Sequence, residues 1–170
     1  MNTLFILIGV PGSGKTTLAK HMSLDHWYEA DTYPNLYQKG VLQPALLSKA
    51  HIMCLNNVET AMKQRVNTIV QANTNLDLGE KGVLPYIRLA VSYHYKVHFV
   101  LPMYGLMHYP NYGNYENQVK TLIQTRSTNE RVVPPHVIHR MVQQFYSILI
   151  QVQHLSSLSP SDMLSYITSL

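Results

Sequence analysis

The chain opens on a continuous apolar, β-rich run at residues 3–8, Thr-Leu-Phe-Ile-Leu-Ile, which predicts a strand buried on both faces. The run breaks at Gly9. From Lys15 onward Leu18, Ala19 and Met22 share one face at helical spacing. Residues 27–30 predict a short second strand ending at Asp31, and Pro34 holds Tyr33 extended in the loop that follows. Leu46, Ala50, Met53, Leu55, Val58, Ala61 and Met62 carry a helical period over residues 45–65. Residues 66–72 return to strand, 84–94 to helix and 96–101 to strand. Residues 102–116 break the pattern with four Tyr, two Pro and two Gly, the composition of a loop or irregular excursion. A short helix is expected at 118–125. A longer one at 137–155 carries Ile138, Met141, Phe145, Leu149 and Val152 on one face, and a last helix at 161–168 is capped by Ser161. Strand and helix alternate throughout, without repeat or linker, so residues 1–170 predict one parallel α/β domain with helices on both faces.

Composition narrows this picture. Hydrophobic residues make up 46% of the 170 and charged residues 13%, well under the roughly 25% of an average domain, which gives a globular chain with a weakly charged surface. Thirteen Lys and Arg against nine Asp and Glu suit a phosphate-rich ligand but are far from the footprint of a protein that coats nucleic acid. Lys39, Lys49, Lys63, Arg65, Lys81 and Arg88 are scattered and form no stripe. His94, His98 and His108 lack metal-ligand spacing. Cys54 is the only cysteine, so no intrachain disulfide is expected; it reads as a small core residue of a protein in a reducing compartment. No apolar run reaches the ~18 residues of a membrane span. The apolar start lacks a basic leader, so the expected location is cytoplasmic or nuclear, without secretion.

Gly9-Val-Pro-Gly-Ser-Gly-Lys-Thr16 matches G-x-x-x-x-G-K-[ST] in full, between a predicted strand and a predicted helix. Gly9, Gly12 and Gly14 allow backbone conformations closed to other residues, so that N–H groups turn inward and form an anion cradle with the positive end of the helix. Gly9, Pro11, Gly12, Ser13, Gly14, Lys15, Thr16 and Thr17 are thus the expected contacts of ATP or another NTP. Lys15 is placed to reach the β- and γ-phosphates, and the Thr16 hydroxyl to ligate Mg²⁺.

Nine carboxylates leave a short search for the reacting groups. Asp31, at the end of the second predicted strand, stands where an acid can take a proton from an acceptor hydroxyl or cap a turn. The strand at 66–72 ends in Ala72-Asn73-Thr74-Asn75 with no acid, which argues against a motor ATPase that activates water with a carboxylate there. Asn73 and Asn75 suit either of two roles, positioning a substrate or a metal-bound water, or holding the loop.

Together these residues resemble the polynucleotide-kinase-like branch of the P-loop kinases, which includes phage 5′-polynucleotide kinase and the kinase-like domain of 2′,3′-cyclic-nucleotide phosphodiesterase. The resemblance runs through residues 4–20, Ala30-Asp-Thr-Tyr33, Asn73-Thr-Asn-Leu76, Pro85-Tyr86, residues 95–99 and residues 133–141, in the family's order. It implies a P-loop NTPase fold of three α/β/α layers, with a central parallel sheet and a small helical lid at about 103–136. It implies Asp31 as general base for a 5′-hydroxyl of DNA or RNA, Lys15 and Thr16 at phosphate and Mg²⁺, and Arg126 and Arg131 as lid arginines on the transferred phosphate. Asn73 stands where the phage enzyme has Asp, and Arg126-Ser-Thr-Asn-Glu-Arg131 replaces a compact Arg-Asn pair. The expected function is therefore an ATP-dependent kinase acting on a 5′-hydroxyl end. The alternatives are a kinase for a nucleoside or other small hydroxylated metabolite, and a nucleotide-binding interaction module without turnover. Tyr104, Tyr109, Tyr112 and Tyr115 suit either base stacking or the packed underside of a lid.

Overall fold

The computed structural model describes residues 1–102 and 133–170. The expected helix at 118–125, the four tyrosines, His108, Arg126, Arg131 and nearly all of the anticipated lid lie outside the described residues.

The first strand, β1, runs Thr3–Leu7 and is followed by the helix α1, Lys15–Met22. A two-residue strand β2, Trp27–Tyr28, leads into a 3₁₀ turn at Ala30–Thr32. A short hairpin follows, β3 at Tyr37–Gln38 and β4 at Val41–Leu42, and then the long helix α2, Pro44–Lys63. Strand β5, Thr68–Gln71, helix α3, Leu84–Tyr93, and strand β6, Lys96–Val100, complete the alternation. Helices α4, Pro135–Leu155, and α5, Pro160–Thr168, close the chain.

Strands β2, β5, β1 and β6 form, in that order, one four-stranded sheet in which every pairing is parallel. Strand β1 lies inside it, with Leu4 opposite Ile69 on one side and Val97 on the other. Leu4, Ile6, Leu7 and Ile8 are fully buried, as a strand covered on both faces requires. Alternate side chains feed two cores. Leu4, Ile6, Ile8, Ile69 and Val97 join the cluster that α2, α3, α4 and α5 complete. Leu7 and Val70 join a smaller cluster with Ala19 of α1, against which Phe5, Leu18, Met22, Trp27 and Val100 pack. Helices thus cover both faces, an α/β arrangement compatible with three layers.

Three expected helix starts move, for a local reason. Helices α2, α4 and α5 each begin with proline at the first helical position, one or two residues before the start expected from the apolar period. Proline has no N–H to leave unsatisfied there, and its fixed φ is already helical. The cap of α5 is therefore Ser159, whose hydroxyl accepts a hydrogen bond from the Asp162 amide at 3.2 Å, and not Ser161. The hairpin is an addition to the expected elements. Its turn residues Lys39 and Gly40 both take positive φ, 50° and 80°, the conformation that joins two strands through two residues.

Candidate functional site

From β1 the chain first crosses to one side of the sheet, to β2 and back to β5, and then passes to the other side at β6. In open parallel sheets ligands bind beyond the carboxyl ends of the strands where such a reversal occurs. Three connections meet at that edge: the glycine loop after β1, the Glu29–Asp31 segment after β2, and residues 72–75 after β5.

The glycine loop is built by its backbone. Gly12 and Gly14 sit at φ 84° and 91°, where a β-carbon is disfavoured. Gly14 is the N-cap of α1 and offers no side-chain bond to the helix start. The first N–H groups of a helix have no intrahelical partner, so this end presents donors and the positive pole of the helix dipole together. Gly9 is needed for close approach, because a β-carbon there would lie 2.5 Å from the Ser13 Oγ. The Ser13 hydroxyl is itself buried, 3% exposed, with no hydrogen-bond partner among the described residues. An orphaned hydroxyl, a closely folded loop and an uncapped helix start are the features a phosphate group would satisfy. Lys15 is buried and its ammonium donates to the loop's own Val10 carbonyl at 2.9 Å, held within the cradle and away from bulk solvent. Thr17 is exposed.

Residues 72–75 act as a tie bar. The Asn75 side-chain amide donates to the Leu7 carbonyl at the end of β1 (2.5 Å), to Gln71 Oε1 (2.6 Å) and to the Asn73 carbonyl (2.9 Å). Its oxygen accepts from Gln71 Nε2 at 2.9 Å, and the residue is buried at φ 57°. Asn73 Oδ1 accepts from the Ala30 amide at 2.7 Å, and its Nδ2 faces the Cys54 sulfur and the Tyr86 hydroxyl at 3.6 and 3.4 Å. Of the two roles open to these amides, the observed bonds supply the holding of the loops. The Gly9 amide donates to the Thr74 carbonyl at 3.2 Å, so the glycine loop is fixed to the same bar.

Strand β2 stops at Tyr28, so Glu29, and not Asp31, is the acid at the strand end. Glu29 is 4% exposed, and its Oε2 accepts a hydrogen bond from Thr16 Oγ1 at 3.0 Å. Asp31 lies one step further, half-buried in the 3₁₀ turn, where the Tyr37 hydroxyl of the hairpin donates to its Oδ1 at 3.3 Å. The charge of Asp31 also reaches His51 of α2. Partial desolvation lowers the His51 pKa, and the negative charge of Asp31 opposes that shift. Beneath the segment the Cys54 thiol is pushed up to about 11 by burial, and burial also raises the Tyr86 phenol. Two residues past Asp31, Tyr33 walls an open pocket of about 410 Å³ shared with Lys49, Ile52, Met53, Asn56 and Asn57 of α2.

The edge thus brings Lys15, Thr16, Asp31, Asn73 and Asn75 together, with Glu29 and Tyr37 bonded among them and His51 within reach of the Asp31 charge. Glu29 was legible as a carboxylate next to the second strand; it is missed when that strand is drawn to Ala30. Tyr37 and His51 carry no local signal, since each arrives from a separate element. The hydroxyl of Thr16 and the carboxylate of Glu29 are hard oxygen donors of the kind Mg²⁺ takes, so the residues present fit the ion. Among the described residues no group of three His, Cys, Asp or Glu side chains is gathered as a metal cage. Also among them, no helix is long and apolar enough to cross a membrane.

No family model matches the chain. It is similar to human NEDD4-binding protein 2, with 31% identity over 103 residues, 58% of this chain. The chain spans 6% of the length of that relative.

Proposed function

We propose that the chain is a P-loop ATP-dependent kinase of the polynucleotide-kinase type, which transfers the γ-phosphate of ATP to a 5′-hydroxyl of DNA or RNA. The observation that carries this reading is the uncapped start of α1 beneath a tight glycine loop, with Lys15 and Thr16 on its first turn and Asp31 on the neighbouring connection. In it, the loop amides and Lys15 bind the phosphates, and Thr16 holds the Mg²⁺. When bound, that ion neutralises charge on the phosphate oxygens. Asp31, fixed by Tyr37, accepts the proton of the acceptor hydroxyl while that oxygen bonds to the γ-phosphorus. The bond from the γ-phosphorus to the β–γ bridging oxygen breaks, and ADP leaves. Arg126 and Arg131 are the groups that the family resemblance assigns to the transferred phosphate. Incubation with γ-labelled ATP should label 5′-hydroxyl oligonucleotides, and Lys15→Ala or Asp31→Asn should abolish the label. A panel of such oligonucleotides left unlabelled by folded, ATP-binding protein sinks the reading.

The pocket beside Tyr33 favours a second reading, the same transfer to a small hydroxylated acceptor such as a nucleoside. Its volume lies within the few hundred Å³ typical of small-ligand sites, with one aromatic ring, apolar Ile52 and Met53, and amides to orient a ring. ADP release across a metabolite panel separates the two. ATP binding with no ADP formed for any acceptor would instead mark an interaction module without turnover.

A further inference from the structure

We infer that Glu29 is the positioning carboxylate for the nucleotide's divalent cation, acting through Thr16 in place of an acid at the end of β5. This rests on the proposed kinase reading and deepens it. The end of β5 supplies only amides, and both are spent on the loops: Asn73 on the Ala30 backbone, and Asn75 on Leu7 and Gln71. The carboxylate that meets Thr16 comes instead from the neighbouring strand, 3.0 Å from the hydroxyl and 4% exposed.

Charge is the informative part. A neutral glutamine would accept the Thr16 proton equally well, and burying a carboxylate costs more than burying an amide. An ionised Glu29 at the foot of the loop opposes a bare triphosphate, and a divalent cation between the two relieves that repulsion. By accepting the Thr16 proton, Glu29 turns the hydroxyl lone pairs away from itself, toward the loop where the phosphate-bound ion would sit. Asp31 is then left free of metal duty, with Tyr37 as its partner, and the two acids divide the work.

The test is nucleotide affinity of the full chain, measured by calorimetry with Mg²⁺ and again with EDTA. Wild type should bind ATP more tightly with Mg²⁺. In Glu29→Gln that gain should shrink about tenfold, a change worth about 1.4 kcal/mol, while metal-free ATP binds as tightly as before or more tightly. Effects of opposite sign in the two buffers cannot come from a damaged fold. Glu29→Asp, which keeps the charge, should recover most of the gain. Should the Gln variant fail to fold, Glu29→Ala is read in the same way. An unchanged gain, an equal loss in both buffers, or an Asp variant no better than Gln overturns the assignment while the kinase reading stands. Wild type that binds ATP in neither buffer removes both.

Discussion

The glycine loop after β1 and the Glu29–Asp31 segment after β2 end within hydrogen-bond reach of one another but are made differently. The first is built of backbone: its parts are eight consecutive residues whose identities follow from conformation and charge. The second is assembled from side chains of four elements, with Asp31 from the 3₁₀ turn, Tyr37 from the hairpin, His51 from α2 and Asn73 from the end of β5. Backbone recognition leaves a spaced signature in the chain, and assembled recognition does not. In the proposed kinase the contrast would also separate donor from acceptor, since a phosphate is common to all nucleotides whereas an acceptor must be told from its competitors.

The sharpest way to break this division is a double dissociation. If the kinase reading holds, Lys15→Ala should cost at least ~100-fold in ATP affinity, because the ammonium is buried against the loop's own Val10 carbonyl. Asp31→Asn should leave that affinity within about twofold and reduce transfer by ~10²–10⁴. Binding isotherms and single-turnover transfer measure the two effects. An Asp31 variant that loses ATP as Lys15→Ala does would merge the halves.

Next in size is the tie bar. Asn75→Ala orphans the Leu7 carbonyl and the Gln71 amide at once, and puts a β-carbon without hydrogen bonds at φ 57°. A loss of about 2–4 kcal/mol in urea unfolding is expected. Asn75→Gly relaxes the backbone but not the bonds, and should recover about 1 kcal/mol of it. Full stability with a raised acceptor KM would mean that Asn75 touches substrate and belongs to the acceptor half.

A smaller effect reports on the dry floor under Asp31. Burial makes the Cys54 thiol hold its proton to about 11 against an ordinary 9.0, so between those values the native state binds more protons than the unfolded chain. Stability should therefore be complete below about pH 9 and fall as pH rises toward 11, by up to about 1.4 kcal/mol per unit. Urea midpoints at about pH 8 and about pH 10 for wild type and Cys54→Ala would show it. The smallest expected change is at His51: Asp31→Asn removes the charge that raises its pKa, so its imidazole should titrate lower still by NMR. No shift would place His51 outside the acceptor half.

Most of the fold was legible because its strongest signals are local. Five apolar residues in a row, stopped by Gly9, read as an interior strand, and α2 and α4 carry their period over many turns. The hairpin was not legible, because two-residue strands have no period and Lys39-Gly40 is a weaker turn signal than Asn-Gly. Of the candidate site, Lys15 and Thr16 came from motif spacing, and Asp31 from its place after the second predicted strand and from the family resemblance. Glu29 depended on where a two-residue strand stops, a boundary set by its pairing with Val70 and Gln71 and not by its own sequence. Tyr37 and His51 depended on tertiary packing alone.

The bare start of α1 has a consequence in time as well as in space. The helix is eight residues long and has no side-chain cap, so by itself it is too short to persist in water. What holds it is Ala19 and its neighbours on the sheet. In the proposed kinase a bound phosphate would work on its first turn as a removable cap. Amide hydrogen exchange in the first turn of α1 should slow when the loop is filled and quicken when it empties, so that this segment becomes the molecule's own gauge of occupancy.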